Sequence, residues 1–278
     1  MDSSSDNTLI IFFLVAFALY SFSRYLKYNL PGSAYLKHKI GRHLMYGKLN
    51  PIYQPYLYKN FPVLNQLSED NRLLFESRVQ RFINMKTFLS RGEIKQVTPE
   101  MKALIAGSAI QITMGYPEVY FSHFRTIIIY PDMYYSKLTK HYHNGEVNQL
   151  GVIVVSWKSF MEGFRDPRDG VNLGYHEMAH ALKLQNIVEN NDYEFFDSLI
   201  MNQFEKEAIK EMQKVKDIPA GASFFREYSA TNLNEFFAVA IENYIERPTE
   251  LKAYNIKLYH LLSKILNFDL LEISPYSS

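Results

Sequence analysis

Gly174-Tyr175-His176-Glu177-Met178-Ala179-His180-Ala181-Leu182 decides how the rest of the chain is read. On a helix, His176 and His180 at i and i+4 project from one face, so both imidazoles can reach one ion at about 2.0–2.1 Å. Catalytic zinc takes a third protein ligand and leaves a position open for water, so another ligand must come from a distant stretch. Glu177 is rotated about 100° from His176, which suits a carboxylate that meets the metal's water and not the metal. Val171, Leu173, Tyr175, Met178, Ala179, Ala181, Leu182 and Leu184 make the helix apolar nearly all round, as in a buried helix. Two imidazoles and a carboxylate buried there need partners. A metal supplies one; a self-satisfied structural histidine pair is the competing reading.

The 278 residues, 47% hydrophobic and 15% aromatic, are enough for a large core. A formal net charge of +1 points to no nucleic-acid partner. Cysteine is absent, which excludes disulfides, thiolate metal sites and a cysteine nucleophile, so a metal must be held by His and carboxylate.

Residues 8–22 (TLIIFFLVAFALYSF) run without a charge after an acidic leader containing Asp2 and Asp6. With Arg24 snorkelling and Tyr20, Tyr25 and Tyr28 at the interface, the run reads as an uncleaved single-pass anchor. A signal peptide cut near Ala16-Phe17-Ala18 and a buried helix are the rivals, and the acidic leader argues against the first. Arg24, Lys27, Lys37, Lys39 and Arg42 follow the run, which places the amino terminus outside and the large domain in the cytoplasm. The expected organisation is an anchor at 1–28, a Pro- and Gly-punctuated linker packing on the domain at 29–60, and a catalytic domain at 61–278.

Within that domain, Ser68 starts an amphipathic helix to about Met85, and Thr98-Pro99-Glu100 starts a second with a small-residue face. Residues 124–130 (FRTIIIY) and 151–157 (GVIVVSW) read as strands. The second is either a core strand or an edge to which extended peptide could pair. Asn172 is placed to cap the His helix, and residues 192–216 carry long helical periodicity. His38, His43, His123, His141, His143 and His260 are left outside the site.

The third ligand is sought 55 residues beyond His180, where Glu235 heads the apolar run Phe236-Phe237-Ala238-Val239-Ala240. A capping box with Asn232 is the other use for that carboxylate. Glu242 lies on the same helical face, either a rival ligand or a group orienting a histidine.

GYHEMAHAL (174–182) and YSATNLNEFFAVAIENYIERPTEL (228–251) together resemble the Mlc titration factor A zinc peptidases. In that family His-Glu-x-x-His is followed by Tyr-x-Ala-Thr-Asn-x-x-Glu-Phe-Phe-Ala-Val. The likeness extends to residues 105–116, 126–134, 145–147 and 155–157, and so covers about 61–268. It implies an α+β, mainly helical gluzincin-type domain with a small β-sheet, similar to the catalytic domain of anthrax lethal factor. It further implies one zinc ion per chain on His176, His180 and Glu235, with Glu177 as catalytic base and Tyr228 as a transition-state donor. Lys183 departs from the acidic residue common in the family, and residues 186–192 replace its glycine-rich loop.

The function expected is hydrolysis of a peptide or protein substrate by zinc-activated water, Glu177 taking the proton and returning it to the leaving amine. The alternative is a membrane-tethered module that captures a regulatory protein partner, such as the transcriptional repressor bound by the family's namesake. A multi-span membrane protease is disfavoured, because only one hydrophobic run is visible.

Overall fold

The computed structural model of the chain describes residues 47–136, 140–188, 194–219 and 221–272. The anchor read at 1–28 lies outside the described residues, as do His38 and His43. Among the described residues no helix is long and apolar enough to cross a membrane. A compact unit begins at Leu49. Residues 49–60, expected as linker, form a 3-10 turn (Pro51–Tyr53) and helix α1 (Gln54–Asn60), with Leu49 and Leu57 buried.

Helix α2 (Glu69–Met85) starts where Ser68 Oγ accepts from the Asn71 amide, and buries Phe75, Val79, Phe82 and Ile83. Strand β1 (Thr87–Ser90) then leads to helix α3 (Pro99–Ile112), capped by Thr98 with proline in its first turn. The small face of α3 has a use at Gly107. A Cβ there would lie 2.4 Å from the ring of Phe61, so only glycine lets that ring cross the helix.

Strands β2 (Thr126–Tyr130), β3 (Tyr134–Ser136), β4 (His141–His143), β5 (Gly145–Asn148) and β6 (Val152–Ser156) follow. The main sheet has the order β1-β2-β6-β5; β1, β2 and β6 are parallel and β5 is antiparallel to β6, pairing Gly145 with Val155. Strands β3 and β4 form a separate antiparallel hairpin. The run at 151–157 is therefore not a sheet edge. Strand β6 lies between two partners with Ile153, Val154 and Val155 buried, as its uninterrupted apolar sequence suits, and Trp157 already begins helix α4 (Trp157–Gly163). The edge beside it is β5.

Helix α5 (Leu173–Ile187) carries the His-Glu-x-x-His stretch and starts at Asn172, whose Oδ1 accepts from the Tyr175 amide. It packs between α3 and helix α7 (Leu233–Glu246) and also touches β5 and β6. Helix α6 (Ser198–Asp217) starts after the Asp197 cap, later than the periodicity suggested, because Phe195 and Phe196 stack instead on Tyr116 before the helix begins. Helices α8 (Pro248–Tyr254) and α9 (Ile256–Ile265) complete the described body. The fold is α+β, mainly helical with a small sheet, as expected.

Candidate active site

Two helices bring the site together. His176 and His180 leave one face of α5 a turn apart, and Glu235 stands in the first turn of α7. Asn232 caps α7 with its own side chain, accepting from the Asn234 and Glu235 amides. The Glu235 carboxylate turns instead to the imidazoles. Its Oε2 is 3.1 Å from His176 Nε2 and 3.4 Å from His180 Nε2, and the two Nε2 atoms are 3.1 Å apart. These side chains form a group of mutually close donors that could hold a metal ion.

The donor set fits a metal. His176 Nδ1 lies 2.7 Å from Glu242 Oε1, so that nitrogen carries the proton and donates, and the Nε2 lone pair faces the other two groups. Lone pairs on two nitrogens and a carboxylate then converge, which hydrogen bonding among them satisfies poorly and a cation satisfies at once. Ligands at about 2.0–2.1 Å in a tetrahedron stand about 3.3 Å apart, close to the separations here.

The electrostatics set a proton against a metal. Burial opposes charge on His176, but the hydrogen bonds to Glu235 and Glu242 outweigh it and raise its pKa to about 10, so a cation bound at Nε2 has to displace a proton held there by Glu235. Burial likewise opposes charge on Glu235, yet the two imidazoles hold its carboxyl well below the usual carboxylate range.

Glu242 sits two turns beyond Glu235 and is 1% exposed. It lies on the Nδ1 side of His176, away from the converging donors. Its Oε2 accepts from the Asn172 amide at 2.6 Å, and Arg226 grips both its oxygens at 2.7 and 3.0 Å.

Glu177 is buried beside the donors, and burial above all raises its pKa, with the two histidines pulling the other way. Its carboxylate rests against Gly145 of β5, where a Cβ would fall 2.2 Å from Oε1. Tyr228 belongs to a 3-10 turn (Glu227–Ala230) leading to α7, with its ring centroid 5.9 Å from that of His176. It is half exposed and not a core aromatic. Burial, followed by the charge of the nearby Glu235 carboxylate, pushes its hydroxyl pKa up to about 12.

His123, His141, His143 and His260 do not belong to the cluster; His141 and His143 lie on the β3–β4 hairpin, and His123 Nε2 pairs with the Gln149 carbonyl. Sequence reasoning missed Arg226, Gly145 and Glu246. Glu246 accepts from Asn172 Nδ2 and the Gly170 amide, and so holds the segment that starts α5. Only Glu246 had a readable signal, being one turn after Glu242 on the same helix.

Set against known families, residues 37–266 match the model of the glucose-regulated metallo-peptidase M90 family. The chain belongs to that family. The match takes in α5 and α7 whole, and with them every residue of the cluster just described. M90 membership makes the chain a metallopeptidase by family, and His176, His180 and Glu235 its candidate metal site. A relative, an uncharacterized protein of Synechocystis sp. (strain ATCC 27184 / PCC 6803 / Kazusa), is 25% identical over 236 residues, covering 78% of this chain and 83% of its own length.

Proposed function

We propose that this M90 protein is a zinc peptidase, with His176, His180 and Glu235 as the metal ligands, Glu177 as general base and Tyr228 as oxyanion donor. The observation that carries the reading is the convergence of three lone-pair donors with a buried carboxylate next in sequence to the first of them. Zinc held there supplies Lewis acidity, lowering the pKa of a water toward about 7 and polarising the substrate carbonyl.

The chain's own residues do the rest. Glu177, pushed above the ordinary carboxylate range, accepts the proton of the attacking water and returns it to the leaving amine. Tyr228, in the turn that leads to α7, would donate its hydroxyl to the developing oxyanion. Strand β5 has β6 on one side and, among the described residues, no strand on the other, so it offers main-chain groups to an extended peptide beside Glu177. A module that only captured a partner would have no use for a buried base beside three metal donors. The apolar run at 8–22 is proposed to tether the domain to a membrane, with support from the sequence pattern alone.

The test is metal analysis of the purified chain with a screen of peptide substrates, with and without chelator. One zinc per chain and chelator-sensitive hydrolysis are expected. Bound zinc with no turnover on any peptide would move the reading to capture, and no bound metal would remove it.

A further inference from the structure

Glu242 serves several donors at once. His176 Nδ1 and the Asn172 amide reach its two oxygens at 2.7 and 2.6 Å, and both contacts are buried. The last torsion of a glutamate is broad, so hydrogen bonds and not the rotamer decide where its carboxylate plane lies. Arg226 fixes that plane. Its Nη2 donates to Oε1 at 2.7 Å and its Nη1 to Oε2 at 3.0 Å, a fork on a fork. Nη1 also donates to the Gly170 carbonyl at 3.0 Å, two residues before the cap of α5. One planar group therefore sets both the acceptor for His176 and the start of the helix that carries it.

We infer that Arg226 is a positioning residue of the metal site: by clamping Glu242 it holds the His176 imidazole so that Nε2 faces the metal position. This rests on the zinc reading above. A lysine could supply the charge but not two parallel N–H donors in one plane, so the inference is specific to the guanidinium. Arg226 also lines a cavity of about 230 Å³ with Ser223, Phe224 and Arg247, so shortening it opens onto existing space and not into the core.

The experiment compares the zinc Kd of the full chain, by chelator competition, for wild type, Arg226→Gln, Arg226→Lys, Glu242→Gln and the Arg226→Gln/Glu242→Gln double variant, each checked for native circular dichroism. Arg226→Gln is expected to weaken zinc about 10–100-fold, with Arg226→Lys recovering only part of that loss. The double variant should bind no more weakly than Glu242→Gln alone, because Arg226 acts through Glu242. A residue that merely supports the fold would lower the unfolding temperature and leave the Kd of folded protein unchanged. Wild-type Kd in Arg226→Gln, or losses that multiply in the double variant, would overturn the inference. If Arg226→Gln does not fold, Arg226→Lys alone and combined with Glu242→Gln give the same comparison. A wild type that holds no zinc would sink the metal reading itself, which separates the two failures.

Discussion

Glu235 and Glu242, two turns apart on one helix, take opposite nitrogens of a single imidazole: Glu235 lies 3.1 Å from His176 Nε2 and Glu242 lies 2.7 Å from Nδ1. Their roles divide accordingly. Glu235→Ala should remove zinc almost entirely, since two imidazoles alone hold it weakly. Glu242→Ala should retain zinc with affinity reduced about 10–100-fold. Equilibrium dialysis reads both, and the reverse order would mean that the ligand has been misassigned.

Glu177→Gln keeps the shape of the side chain and removes its basicity. Zinc content should match wild type while peptide hydrolysis falls close to background. Near-normal turnover in this variant would end its assignment as base.

Gly145→Ala probes the wall behind Glu177. The added carbon would meet Oε1 at 2.2 Å and Cδ at 2.4 Å, so either β5 or the carboxylate must move. A displacement of about 1 Å at a reacting group costs on the order of 10² in rate, so kcat should drop by that order with zinc content unchanged. A variant as active as wild type would show that Glu177 tolerates displacement and that its placement against β5 is incidental.

Tyr228→Phe deletes one hydroxyl from a half-exposed ring, so stability and zinc content should hold. If the hydroxyl meets the oxyanion, kcat should fall about 10²–10³-fold, or roughly 2.7–4 kcal/mol, with little change in KM. An unchanged kcat leaves the oxyanion to the metal.

Glu246 makes stability depend on pH. Burial raises its pKa from 4.5 to about 8, helped by the charges of Asp169 and Glu242 and opposed by hydrogen bonds from Asn172 and Gly170. A carboxyl whose folded value exceeds its unfolded one contributes stability that is full below the unfolded value and is lost as pH rises through the folded value. Urea unfolding should therefore show Glu246 costing stability progressively between pH 4.5 and about 8, and Glu246→Gln should flatten that part of the profile. Identical slopes in wild type and variant would contradict this.

The parts of the site legible in the sequence are those that local periodicity controls. Spacing on α5 put His176 and His180 on one face, and the apolar surroundings of Glu235 gave it a reason to seek a partner. Periodicity also put Glu242 on the Glu235 face but could not say which nitrogen each would meet, because that depends on how α5 and α7 cross. Arg226 and Gly145 act through pairings between distant segments, which leave no local pattern. The apolar run of β6 could be read as either a core strand or an edge, and the core strand is what forms; the edge itself, β5, with Gly145, Glu146 and Asn148, is too short and polar to read as a strand. Pro51 and Pro55 disguised residues 49–60 as linker, although proline in a first turn is compatible with the helix that forms there.

The site draws its donors from only two helices, and Glu235 lies 55 positions after His180, with all of α6 in between. An ion held by both is thus a cross-link closing a long loop, and loops of that size lose substantial entropy when their ends are joined. On the zinc reading, occupancy and resistance to unfolding depend on the same three side chains, so the stability of the fold would rise and fall with the free zinc around it.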